Sequence, residues 1–166
     1  MKEVVIAFLL ALAVGSILNG MNFKVQPLQD DQGANQPALR GQELIFETDE
    51  STFQGYVLDS RDPVLVEFYT DNCPGCKQVA PVLGTLAYEG QGKVTICKVN
   101  LEKSPKLAGK YNVYGVPTFM IFQEGHVQDT NEGAMDENSM RGWLARNQIN
   151  IPQSAPALDN QPRDPS

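Results

Sequence analysis

Residues 64–77, VLVEFYTDNCPGCK, constrain this chain more than any other stretch. Val64, Leu65, Val66, Phe68 and Tyr69 form a short run of apolar and β-favouring residues, as expected of a strand covered on both faces. Cys73-Pro74-Gly75-Cys76 follows, and after it Val79, Ala80, Val82, Leu83 and Leu86 recur at helical spacing. A buried strand therefore hands two cysteines to the first turn of a helix. The unpaired N–H groups of that turn and the helix dipole favour a thiolate there. Only a thiolate attacks a disulfide, so Cys73 reads as a nucleophile. Pro74 suits the first helical position because it has no N–H to leave unpaired. Cys76, three residues on, lies on the same helix face and reads as the thiol that resolves a mixed disulfide.

The other candidate ligands point nowhere else. Three cysteines are too few for a disulfide framework. With His126 they could formally complete a tetrahedral zinc site, but His126 belongs to the turn signal Gln123-Glu124-Gly125-His126. Neither a metal nor a dissociable cofactor is expected; the Cys73–Cys76 pair itself would carry the electrons. Cys97, within VTICKV, reads as a small core residue. The formal net charge of −7 in 166 residues falls mostly between residues 43 and 150, which argues against nucleic acid as a partner.

Both ends differ in composition from the middle. Residues 1–23 open with Lys2 and continue as an apolar run, long enough for a membrane anchor. They also have the form of a signal peptide with the small-x-small sequence Ala11-Leu12-Ala13. We expect an uncleaved anchor, with cleavage and secretion as the alternative; Lys2 before the run and Asp30 and Asp31 after it place the rest outside the cytoplasm. Residues 24–42, rich in Gln, Asn, Pro and Gly, read as a flexible linker. Residues 43–150 carry the folded domain, and residues 151–166, with Pro152, Pro156, Pro162 and Pro165, read as a disordered tail.

Within the domain, residues 43–48 alternate as a short strand. Residues 49–58 place Phe53, Val57 and Leu58 at helical spacing. Pro81 should kink the helix that begins at Cys73. VTICKV is a second buried strand. Ser104 should cap a helix with Pro105 at its first position and Leu107, Ala108 and Tyr111 inward. Residues 119–122 and 127–130 should form a hairpin, and Asp136 should cap a last helix burying Met140, Trp143 and Leu144. This order predicts an α/β fold: a central mixed sheet of four to five strands with helices on both faces.

Several separate marks then resemble one family, the thioredoxins, over roughly residues 43–150. Val66-Glu67-Phe68-Tyr69 resembles the strand before the family's active site. Cys73-x-x-Cys76-Lys77 with Ala80-Pro81 resembles its active-site helix. Lys98-Val99-Asn100 resembles its strand-end lysine segment, and Gly115-Val116-Pro117-Thr118 its cis-proline loop. Gly125 and Gly133 fall where the family has glycines. Two departures stand out: Asn72 replaces the usual tryptophan, and Pro74-Gly75 reverses the usual dipeptide. Both lie where redox potential and partner choice are set.

The resemblance implies the thioredoxin fold and a protein-disulfide oxidoreductase acting on protein thiols and disulfides, with a second protein as electron donor or acceptor. It implies that Glu67 is a buried acid beneath Cys76, able to take its proton because burial raises a carboxyl pKa, and that Lys98 partners it. It implies a cis Pro117, with Val116, Pro117 and Thr118 facing an extended substrate segment beside Asn72, Pro74 and Gly75. A reductase or isomerase-like role on exported proteins is expected. An oxidant, or a peptide-binding module of the same fold without turnover, is the alternative.

Overall fold

The protein was described from a computed structural model, which describes residues 37–153. The anchor or signal expected at 1–23, residues 24–36 of the expected linker, and the tail from 154 onward lie outside the described residues. Among those described, no helix is long and apolar enough to cross a membrane.

The elements are α1 (Pro37–Gln42), β1 (Ile45–Thr48), a π-helical turn (Gln54–Leu58), β2 (Val64–Tyr69), α2 (Pro74–Glu89), β3 (Thr95–Asn100), α3 (Pro105–Tyr111), β4 (Thr118–Gln123), β5 (His126–Glu132) and α4 (Glu137–Arg146). The sheet has five strands in the order β1-β3-β2-β4-β5. β1, β3 and β2 run parallel, and β4 and β5 add an antiparallel hairpin beside β2. The expected mixed α/β sheet is present. Its hairpin turn places Glu124 and Gly125 at φ 51° and 76°, the left-handed pair that suits the twist of a tight hairpin.

β2 lies at the centre, and every residue from Val64 to Phe68 is buried. Alternation along it divides the core. Leu65 packs with Val79, Leu83 and Leu86 of α2 and Met140, Trp143 and Leu144 of α4. Val64, Val66 and Phe68 pack on the other face with Phe53, Val57, Leu107 and Val113. Glu67 shares the parity of Leu65, so the strand's one charge projects toward the α2 side.

Three local expectations are corrected. The first concerns residues 37–42, read as linker. They form α1, which docks on α2 through Gly41 and Gly84; a Cβ on Gly84 would lie 2.1 Å from the carbonyl oxygen of Ala38. Gln42 Nε2 also donates to the Ala80 carbonyl at 2.6 Å. Packing, not helix propensity, holds this short segment. The second concerns residues 49–58, where only a single widened turn forms and the Asp59 N–H reaches back five residues to Gln54. Asp49 organises the approach by accepting from the N–H groups of Ser51 and Thr52. The third is Ser104. It precedes α3, but its hydroxyl makes no capping bond and is buried without a partner. Asp136 does cap α4, accepting from the Ser139 N–H at 2.8 Å.

Candidate active site

Cys73 is the N-cap of α2, in extended backbone, with Pro74 opening the helix. Cys73 and Cys76 form a disulfide with an S–S distance of 2.07 Å. The Cys73 Sγ also accepts from the Cys76 backbone N–H at 3.0 Å, which occupies the place that a serine or aspartate oxygen takes at an ordinary N-cap. When the disulfide opens, the same N–H and the helix dipole stabilise negative charge on Cys73. Little of either cysteine is exposed, 3% and 5%. Pro81 sits within α2 and supplies no N–H to the preceding turn.

A cavity of about 210 Å³ opens beside the disulfide, lined by Tyr69, Asp71, Cys73, Cys76, Lys77 and Lys98 among others. A larger cleft of about 550 Å³ also touches Tyr69 and is lined by Glu47, Asp49, Tyr56 and Asn100 among others. It touches neither cysteine, so the smaller cavity is the one that bears on exchange.

Glu67 is wholly buried. β2 and β3 set Glu67 opposite Lys98, and the Lys98 Nζ stands 3.3 Å from Glu67 Oε2. The contact is a loosely aligned ion pair, in which Lys98 acts on the carboxyl first through its charge and then as a donor. Burial pushes the carboxyl pKa up, and Lys98 pulls it back only in part. Lys98 also lines the cavity beside the cysteines, so it touches both Glu67 and the space that reaches the disulfide.

On the opposite side, the Val116–Pro117 peptide is cis. Pro117 comes close to the active-site dipeptide: a Cβ on Gly75 would lie 3.0 Å from Pro117 Cδ and 3.6 Å from Ala134 Cβ. Val116 is half-buried, Asn72 and Pro74 are exposed, and Pro117 is buried. Thr118 is also buried, and its hydroxyl donates to the Gly115 carbonyl at 2.8 Å, so its side chain shapes the loop from within. Tyr114, at the loop's entrance, is 90% exposed. The fold thus gathers Cys73, Cys76 and Lys98 around one cavity, with Glu67 in contact with Lys98, and sets Pro117 against Gly75.

Cys97 projects to the opposite face of the sheet, fully buried, with its thiol pushed up to about 12 by burial. His126 is exposed in the hairpin, its Nδ1 2.8 Å from the Glu124 carbonyl oxygen. Trp143 is core, and its indole N–H donates to Asp129 at 2.6 Å.

Two contributors escaped the sequence reading. Asn100 donates to Asp71 at 2.9 Å and accepts from the Glu102 N–H at 2.9 Å, pinning the loop before Cys73. Glu47 of β1 accepts from the Tyr69 hydroxyl at 3.0 Å. Register between strands distant in sequence creates both contacts, and no local pattern announces them.

The thioredoxin family profile matches residues 44–146. The thioredoxin of Pseudomonas aeruginosa is 36% identical over 105 residues, covering 63% of this chain and 97% of that protein. The thioredoxin of Rickettsia conorii is 36% identical over 95 residues, 57% of this chain and 90% of that protein. Thioredoxin 1 of Nostoc sp. is 38% identical over 97 residues, 58% and 91% respectively.

Proposed function

The chain belongs to the thioredoxin family and is a thiol–disulfide oxidoreductase; on that premise we propose that it is a membrane-tethered enzyme that reduces or isomerises disulfides of exported proteins. The observation that carries the chemistry is the Cys73 Sγ at the N-terminus of α2, held by the Cys76 N–H. The observation that carries the location is the apolar run at 4–23 behind Lys2, with Asp30 and Asp31 beyond it.

In the reducing direction, the Cys73 thiolate attacks one sulfur of a substrate disulfide. The substrate S–S bond breaks, its other sulfur leaves as a thiolate, and a mixed disulfide joins the two proteins. Cys76 then loses its proton and attacks the Cys73 Sγ. The substrate's second sulfur leaves, and the Cys73–Cys76 disulfide closes. Two electrons pass to the substrate and no dissociable cofactor takes part. Glu67 is the proton acceptor for Cys76: its carboxyl is buried, and burial raises its pKa above the ordinary carboxylate value, which makes it a stronger base than an exposed carboxylate. Substrate lies against Val116 and Pro117 as an added strand, near Asn72, Pro74 and Gly75.

The direction of flow is tested by equilibrating the pair with glutathione. A potential near the thioredoxin value of about −270 mV supports reduction, and one near about −120 mV would make the protein an oxidant. Alkylation of reduced Cys73 by a membrane-impermeant reagent in spheroplasts tests the location; protection from the reagent would put the domain on the cytoplasmic side. A Cys76→Ala variant should trap substrates and the electron-donor protein as mixed disulfides.

A further inference from the structure

We infer that Glu47 and Tyr69 act together as a positioning pair for Lys98, fixing its ammonium between Glu67 and the disulfide cavity and thereby governing proton transfer at Cys76. The inference rests on the exchange reaction proposed above and adds two residues to it.

Strand register lines up three charges. Glu47 of β1 pairs with Lys98 of β3, and Lys98 pairs with Glu67 of β2. Laterally paired residues project from the same face of a sheet, so the row reads acid, cation, acid. The two acids contact different groups. Glu67 lies within ion-pair distance of Lys98. Glu47 instead accepts the Tyr69 hydroxyl at 3.0 Å. Tyr69, two residues after Glu67, shares its face, and the Lys98 Nζ lies 4.3 Å from the centre of the Tyr69 ring. That distance is within cation–π range.

The consequence is mechanical. A lysine ammonium ends a flexible four-carbon stem and has many places to go. Here the Tyr69 ring closes one side, and the Glu67 carboxyl draws it from another. The ring holds its place because Glu47 fixes its hydroxyl. Burial, with Glu47 beside it, pushes the Tyr69 hydroxyl up to about 12, so it stays a donor at any working pH. Tyr69 and Lys98 both line the cavity that reaches Cys73 and Cys76. The groups facing Lys98 are Glu67 and Tyr69 from β2, Glu47 from β1, Asp71 from the following loop, and Cys73, Cys76 and Lys77 from the start of α2. If the ring swings away, Lys98 loses its fixed place, its pull on Glu67 weakens, and Glu67 keeps its proton to higher pH.

The test uses the full-length reduced protein and the aromatic disulfide 5,5′-dithiobis(2-nitrobenzoate). Cys73 attacks it and releases one thionitrobenzoate; Cys76 then attacks the Cys73 Sγ and releases the second. The rate of the second release is followed against pH. Tyr69→Phe should raise its midpoint above wild type by about half a pH unit or more. The Glu47 charge itself pushes Glu67 up, so Glu47→Ala is compared with Glu47→Gln, which also lacks the charge but still accepts the phenol. The midpoint of Glu47→Ala should lie above that of Glu47→Gln by a similar amount, and the two should coincide once Tyr69→Phe is added to both. The first release should keep its wild-type profile in all of them. An unshifted midpoint in Tyr69→Phe, or equal midpoints in Glu47→Ala and Glu47→Gln with Tyr69 intact, would overturn the inference. Thermal melts of the oxidised variants establish that they are folded. Wild type that releases no second thionitrobenzoate would instead overturn the assignment of Cys76 as the resolving thiol, a distinct failure.

Discussion

The backbone N–H of Cys76 donates to the Sγ of Cys73 at 3.0 Å, across the first turn of α2. One residue's main chain thus stabilises the sulfur that, in the proposed mechanism, its own side chain attacks. This contact and the burial of Cys97 together predict which thiol reacts. In the reduced protein near neutral pH, iodoacetamide should modify Cys73 first and leave Cys97 untouched until the chain unfolds, because a thiol pushed up to about 12 holds almost no thiolate. Mass mapping after brief alkylation checks the order. Cys73→Ser should abolish insulin reduction, and Cys97→Ala should retain it.

Glu67 gives the protein's stability a pH dependence of known sign. Burial raises its pKa above the ordinary 4.5, against the opposing pull of Lys98. The folded state therefore binds this proton more tightly than the unfolded chain does. Its contribution is fully present below about pH 4.5 and is lost as pH rises through the folded value. Glu67→Gln should remove that decline. Denaturant unfolding of the oxidised protein should show the variant gaining on wild type between pH 4 and pH 8; a constant difference would place the carboxyl in an ordinary environment. The same variant should slow resolution of the mixed disulfide while sparing the first attack.

Gly75 is where bulk matters most in the dipeptide. A Cβ there meets Pro117 Cδ at 3.0 Å, tight enough that the loop must yield by a few tenths of an ångström. Gly75→Ala should lower kcat/KM for a protein disulfide by about three- to tenfold, a change of about 1 kcal/mol, while changing overall stability little. An unchanged kcat/KM would mean that substrate does not use the cleft between α2 and the Pro117 loop.

The contact between α1 and α2 sets where the domain begins. Gly84→Ala would press a methyl group against the Ala38 carbonyl and should cost about 1–3 kcal/mol, the usual penalty for overpacking. Deleting residues 1–42 should lower stability in the wild-type background and make Gly84→Ala nearly neutral. If the substitution cost as much in the truncated protein, α1 would not be its cause.

Much of the fold could be read locally. β2 showed itself by a short apolar run, α2 by 3.6-residue spacing, the hairpin by Glu124-Gly125, and α4 by Asp136 ahead of Met140, Trp143 and Leu144. Each signal depends on neighbours in the chain. The misreadings share an opposite cause. Residues 37–42 look like linker because six residues with two helix-weakening types have little propensity; their helix exists because Gly41 finds Gly84. Ser104 looks like a cap, yet its hydroxyl is enclosed by the fold before it can act as one.

The sequence by itself determined two cysteines at a helix start, by residue type and short spacing; the buried acid Glu67 and the Pro117 loop were implied by the resemblance to the thioredoxins. Only the tertiary structure decided how they meet. Strand order put β2 between β3 and β4, and register set Glu67 beside Lys98 and Lys98 beside Glu47. Folding against α2 brought Gly75 to Pro117. A one-residue slip in any strand would turn these side chains to the opposite face. The registry of parallel strands is fixed by the whole packed core, which no local stretch of sequence contains.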